Sequence, residues 1–70
     1  MNKCQAVLIM YDKFLSGEKI YLNQIMNEFG ISLPTFRRYI SEINVFFFNV
    51  YKNQAIVYDY SLNCYYLSNI

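Results

Sequence analysis

Gly30 and Pro34 lie four positions apart, between two stretches that each show the hydrophobic spacing of a helix. Glycine readily adopts the positive φ that ends a helix, whereas proline is tolerated only in the first turn of one. One helix therefore ends just before Gly30, and the next begins close to Leu33. Ser32 stands directly before this second start, where its side chain is expected to accept a hydrogen bond from the backbone N–H of Thr35. The sequence thus predicts two helices joined by a tight turn.

Both helices carry an apolar stripe. In the helix predicted over residues 22–29, the stripe consists of Leu22, Ile25, Met26 and Phe29. In the helix predicted over residues 33–47, it follows i, i+4, i+7, i+11 spacing and consists of Phe36, Ile40, Ile43 and Phe47. The opposite face of that helix carries Pro34, Arg38, Ser41, Glu42 and Val45, and the flanks carry Thr35, Arg37 and Tyr39.

The rest of the chain predicts one more helix and a β-hairpin. The helix covers residues 3–15, and its expected inward stripe is Val7, Leu8, Tyr11, Phe14 and Leu15. Residues 20–21 are a brief extended segment, and residues 49–53 are a polar break. Two β-prone runs, residues 55–58 and 64–67, flank five turn residues and form a hairpin over about 55–68. The predicted fold is mainly α with a small β-hairpin.

Three helices followed by a hairpin is the element order of a winged helix, and the residues around the turn resemble a known group. They are similar to the winged helix-turn-helix domains of bacterial transcription regulators of the DeoR-like, WYL-regulator and Mga-like kinds. The matching positions are Gly30, Ile31, Ser32, Thr35, Phe36, Arg37, Arg38 and Ile40. Ile43 and Asn44 resemble the pair that closes the recognition helix in the Mga-like kind.

The resemblance implies a sequence-specific DNA-binding domain of a bacterial or phage transcription regulator, located in the cytoplasm. The recognition helix, residues 33–47, is expected to enter the major groove. The residues expected to contact DNA are Ser32, Leu33, Pro34, Thr35, Arg37, Arg38 and Ser41. The chain departs from the pattern at Leu33 and Pro34, where relatives usually carry basic residues, and at Tyr39, where an acidic residue is common.

The charge balance is nearly neutral, with six Lys and Arg against five Asp and Glu. A dedicated nucleic-acid binder usually shows a basic patch, and here only Arg37 and Arg38 are adjacent. A single module with a few phosphate contacts binds DNA weakly, so a dimer is expected. The alternative role for these charges is an exposed i, i+4 ion pair between Arg38 and Glu42.

The apolar content favours an association surface. Of the 70 residues, 56% are apolar and 20% aromatic, which is more than so small a domain normally buries. Phe46, Phe47 and Phe48 cannot all face one core, because consecutive helical residues point about 100° apart. The sequence therefore predicts a homodimer or a further C-terminal regulatory domain. The alternative function is a winged-helix protein-interaction module with little DNA binding, docking through Leu33, Val45 and the phenylalanines.

Other classes of function find little support. The chain has no His, and Cys4 and Cys64 lie at opposite ends, so a zinc site is not expected. We expect two reduced, partly buried thiols and no cofactor. Without a histidine base, a glycine-rich phosphate loop or a convincing carboxylate pair, the sequence does not predict an enzyme. The apolar run at residues 6–10 is too short for a membrane span, which favours a soluble, cytoplasmic protein.

Overall fold

The computed structural model describes residues 1–69, which form three helices and a three-stranded antiparallel sheet. The elements are α1 Lys3–Leu15, β1 Ile20–Tyr21, α2 Leu22–Phe29, α3 Leu33–Val50, β2 Gln54–Asp59 and β3 Cys64–Asn69. The predicted bounds of α1 and α2 are confirmed. The hairpin is also confirmed, and β1 extends it into a sheet with strand order β1-β3-β2. None of the helices in this part of the chain combines the length and apolarity that a bilayer span requires.

Helix α3 is longer than predicted. The polar break expected from Asn49 is wrong for Asn49 and Val50, which continue the helix. Termination comes instead at Lys52, whose φ of 63° is left-handed and whose N–H donates to the carbonyl of Phe47 at 3.2 Å. A weak helix propensity at one asparagine is readily overridden by the packing of the helix it belongs to.

The turn between β2 and β3 covers residues 60–63, one fewer than predicted, because Asp59 is the last residue of β2. The Asp59 carboxylate accepts hydrogen bonds from the Ser61 hydroxyl at 2.7 Å and the Ser61 N–H at 2.9 Å. It also accepts the Leu62 N–H at 3.2 Å. The turn ends at Asn63, whose φ is 53°. The acid at this turn therefore holds the turn's own backbone.

The core lies between α1, α3 and the sheet. The predicted stripe of α3 is confirmed, since Phe36, Ile40, Ile43 and Phe47 are all buried. Tyr39 was expected on a flank, and this prediction is wrong because Tyr39 is also buried. It lies three residues after Phe36, and a helix packed on two sides buries its i+3 positions as well as its i+4 positions.

The inward face of α1 also differs from the prediction. Its buried residues are Ala6, Met10 and Phe14, with Val7 and Tyr11 packed at the edge of the core. Leu8 and Leu15 were expected to face inward, but both are exposed. Every residue from 6 to 10 is apolar, so periodicity alone does not determine which side of the helix faces the core.

Candidate nucleic-acid interface

The connection between α2 and α3 has the local chemistry that the sequence predicted. Gly30 has a φ of 65° and ends α2, with its N–H donating to the carbonyl of Met26. Ser32 caps α3, since its Oγ accepts the N–H of Thr35 at 3.4 Å and donates to the Thr35 hydroxyl at 3.1 Å. Ile31 packs against the core between the two helices. Both helices are thereby fixed relative to one another by a three-residue connection.

Three of the predicted contact residues share the solvent-facing side of α3. Pro34, Arg38 and Ser41 are all exposed and recur at three- and four-residue spacing. Ser32 precedes them at the exposed start of the helix. This face is the one opposite the buried stripe, so these side chains are accessible to a partner as large as a DNA duplex.

The other predicted residues lie to the sides of this face. Leu33 and Thr35 are half-buried, so less of each side chain reaches solvent. Arg37 is exposed and directly follows Phe36, which packs on Tyr65 of the sheet, and the charge of Arg37 acts on Tyr65. Burial and the neighbouring Tyr58 raise the pKa of Tyr65, whereas the positive charge of Arg37 acts to lower it. The two arginines therefore point to different sides of α3.

Neither Arg37 nor Arg38 takes part in the ion pairs found among residues 1–69. The exposed pair between Arg38 and Glu42, which was the alternative role for these charges, does not form, because Glu42 instead pairs with Lys3 of α1 at 3.0 Å. Packing of α1 beside α3 brings these two residues together although they are 39 positions apart. A second pair, Lys13 with Glu18, is looser at 3.9 Å. Within residues 1–69, no carboxylate lies within ion-pair distance of either Arg37 or Arg38.

An aromatic cluster lies beside Arg37, where the hairpin packs against α3. Tyr60, in the β2–β3 turn, is 87% exposed, and its ring lies edge-on to Tyr58 at 4.7 Å. Tyr58 packs on Tyr65 at 4.7 Å, and Tyr65 packs on Phe36 of α3 at 5.4 Å. The register of the hairpin places Tyr58 opposite Tyr65. The turn beside α3 thus presents an aromatic side chain where a basic one would favour phosphate.

The carboxylate of Asp59 in that turn is hydrogen-bonded by its own turn. The hydrogen bond from the Ser61 hydroxyl is the largest influence lowering the pKa of Asp59, followed by the Leu62 N–H. Lys19 contributes a smaller lowering through its charge. The carboxylate is therefore engaged by donors from its own turn and lies near a cation, which reduces its repulsion of a polyanion.

The C-terminal half of α3 continues the exposed face with apolar residues. Val45 follows Ser41 by one turn, and Phe48 lies one further turn along; both are exposed. Of the three consecutive phenylalanines, only Phe47 is buried, which confirms that they cannot all face one core. The α3 surface is therefore polar and cationic in its first half and apolar in its second.

The cysteines differ from the expectation of two partly buried thiols, since Cys4 is exposed and Cys64 is fully buried. Among the residues described, no three His, Cys, Asp or Glu side chains are grouped as metal ligands would be. Comparison of the chain with protein-family models, curated proteins and solved structures gives no significant match.

Proposed function

We propose that this chain is a winged helix-turn-helix domain that binds double-stranded DNA, with α3 as its recognition helix in the major groove. The element order supports this proposal, because two helices joined by a three-residue connection are followed directly by a hairpin. The pairing of β1 with β3 also supports it, since it holds the start of α2 against that hairpin.

The observation that carries the proposal is the pair of solvent-facing guanidinium groups on α3 that lack carboxylate partners within residues 1–69. Unpaired cations on the exposed side of a helix attract phosphate, and arginine binds phosphate and guanine edges with two parallel hydrogen bonds. Glu42, the acid nearest this face, is neutralised by Lys3.

The geometry assigns different roles to the predicted contact residues. Arg38 and Ser41 project from the middle of the exposed face, where they are suited to reading base edges. Arg37, on the sheet side, is suited to holding the phosphate backbone. Pro34 offers an apolar contact to a thymine methyl, and Ser32 holds the start of the helix in place.

A homodimer is part of this proposal. Two arginines per chain supply few phosphate contacts, and affinity in physiological salt rises steeply with the number of such contacts. Two copies bound to neighbouring half-sites double that number. The corresponding biological role is that of a bacterial or phage transcription regulator in the cytoplasm.

The test is a fluorescence-anisotropy titration of labelled duplexes, both random and selected from a pool, at several salt concentrations. The logarithm of the affinity should fall linearly with the logarithm of salt, with a slope of about −0.9 per phosphate contact. The double variant Arg37→Ala/Arg38→Ala should bind more weakly with a shallower slope. The control is Lys13→Ala, because Lys13 lies on α1 and is paired with Glu18. Absence of binding at low salt contradicts the proposal.

A second candidate function is a winged-helix module for protein association. It is favoured by Val45 and Phe48, which are exposed on the side of α3 that also bears Arg38. Exposed apolar groups on a face are typical of protein contacts. This second function would be favoured by two results together: no anisotropy change with any duplex, and loss of binding to a protein partner in Val45→Lys.

A further inference from the structure

An open apolar groove runs between α1 and α3, at one side of the proposed DNA-binding face. It has a volume of about 330 Å³, and its lining is almost wholly carbon. The lining residues are Val7, Leu8, Tyr11, Glu42, Ile43 and Phe46. Val7 and Ile43 belong to the packed part of the fold, whereas Leu8 and Phe46 are among its exposed hydrophobic side chains.

Two of the residues that line the groove, Tyr11 and Phe46, belong to a group of packed aromatic rings. The ring of Phe46 lies edge-on to Tyr11 at 5.6 Å and edge-on to Tyr51 at 6.1 Å. The hydroxyls of Tyr11 and Tyr51 are hydrogen-bonded at 3.1 Å. Side chains locked in this way lose little conformational freedom when a partner binds, so the groove is preorganised.

We propose that this groove is the contact surface of a symmetric homodimer, in which Leu8 of each copy inserts into the groove of the other. In a two-fold interface one surface must supply both the projection and the depression that receives it. This surface does so, because Leu8 is 58% exposed and itself forms part of the groove's lining. A second copy therefore fits the surface without any further apolar element.

The charges around the groove are also self-complementary. Its edge carries one cation, Lys3, and one anion, Glu42, and both side chains are about half exposed. Because Lys3 and Glu42 are paired within each chain, two copies that meet across a two-fold axis bring together two neutral edges. The edge carries no net charge to repel an identical surface.

Further exposed hydrophobic side chains lie beyond the lining of the groove. Leu15 is exposed two turns after Leu8 along α1, and Tyr51 is exposed at the end of α3 beside the groove. A standard interface buries about 800 Å² per partner, which is roughly one-sixth of the chain's 4592 Å².

The experiment is sedimentation velocity on the chain without DNA, over a concentration range from about 1 μM to about 1 mM. The wild type should form a species of twice the 8.4 kDa chain mass. Leu8→Lys should raise the dimer dissociation constant at least tenfold, because it places a like charge on both sides of the interface. Its matched control is Leu62→Lys, since Leu62 is 48% exposed in the β2–β3 turn and does not line the groove.

A second pair of variants locates the interface on α3. Phe46→Lys should weaken the dimer, whereas Phe48→Lys should leave it intact, because Phe48 is 59% exposed on another side of the same helix. Far-ultraviolet circular dichroism checks that each variant is folded. If Phe46→Lys does not fold, the comparison of Leu8→Lys with Leu62→Lys still tests the proposal.

Each remaining outcome overturns the proposal. If the wild type stays monomeric throughout the concentration range, the proposed dimer does not form. A dimer weakened by Phe48→Lys but not by Leu8→Lys has its interface on the outer side of α3. A monomer that binds anilinonaphthalene sulfonate, with binding lost in Leu8→Lys, has a groove for a small apolar molecule instead. The interface rests on the homodimer of the proposed function, but because no DNA is present, a failure of the dimer is distinguished from a failure of DNA binding.

Discussion

The side-chain oxygen of Asn44 accepts a hydrogen bond from the backbone N–H of Ile56 at 2.8 Å, which joins the middle of α3 to strand β2. Strand β2 lies at the edge of the sheet, so backbone groups on its outer side have no neighbouring strand. Asn44 satisfies one of these groups from the helix. The contact also fixes the distance between the exposed face of α3 and the hairpin.

Replacing Asn44 with Ala should therefore destabilise the fold by about 1–3 kcal/mol, because the partly buried N–H of Ile56 loses its acceptor. Urea denaturation followed by circular dichroism measures this change. The matched control is Asn49→Ala in the same helix, where the side chain is exposed and the cost should be within about 0.5 kcal/mol. Equal midpoints for the two variants would show that the Asn44 contact adds nothing to stability.

Gly30 provides a second stability prediction. Its φ of 65° is unfavourable for any residue with a Cβ, yet a Cβ placed there would meet nothing within 4 Å. Gly30→Ala should thus cost about 1–2 kcal/mol from backbone conformation alone. Gly30→Asn should cost less, because asparagine tolerates the left-handed region better. Chemical denaturation of both variants tests this order, and an alanine variant more stable than the asparagine variant would contradict it.

The lowered pKa of Asp59 predicts a pH dependence of stability. Its hydrogen bonds with Ser61 and Leu62 favour the ionised form, so its folded-state pKa lies below the ordinary value of 3.8. The stabilisation is complete above that ordinary value and is lost as the pH falls through the lowered one. Asp59→Asn removes the charge and keeps an oxygen acceptor. The melting temperatures of wild type and variant should differ near neutral pH and converge as the pH falls below the lowered pKa of Asp59.

The control for the loss of a charge is Asp12→Asn. Asp12 is an exposed acid of α1, and its side chain accepts none of the hydrogen bonds found among residues 1–69. A melting-temperature difference for Asp59→Asn that persists unchanged into acid would rule out the titration of this carboxylate as its origin.

The elements that sequence reasoning predicted correctly are those specified by local chemistry. Gly30 ends α2 through its own backbone freedom, and Ser32 caps α3 with an acceptor three residues from its donor. The buried stripe of α3 was equally visible, because polar residues, among them Arg37, Arg38, Ser41 and Glu42, lie between its first members. Local signals of this kind do not depend on how the rest of the chain packs.

The features that were not predicted depend on contacts between distant residues. The rotation of α1, which leaves Leu8 exposed, is not determined by a run of five apolar residues. The partner of Glu42 is Lys3, near the start of the chain, which the alternative i, i+4 pairing with Arg38 did not include. The position of Arg37 beside Tyr65 required the hairpin to be placed against α3. The candidate site was thus predictable as a helix face but not as an arrangement of charges.

The different directions of Arg37 and Arg38 predict distinct effects on DNA binding, under the proposal that α3 enters the major groove. Arg38 lies on the exposed face with Ser41, so Arg38→Ala should reduce discrimination between selected and random duplexes, by about 1–3 kcal/mol if it contacts a guanine. Arg37 lies on the side of α3 nearer Tyr65, so Arg37→Ala should weaken binding to all duplexes equally and make the salt slope about 0.9 shallower per bound chain, or about 1.8 for the dimer. Anisotropy titrations with both duplexes at several salt concentrations separate the two effects. Lys13→Ala is again the control for the loss of one positive charge. If Arg37→Ala reduces discrimination while Arg38→Ala lowers affinity uniformly, the docking orientation proposed for α3 is wrong, because the sheet side would then face the bases.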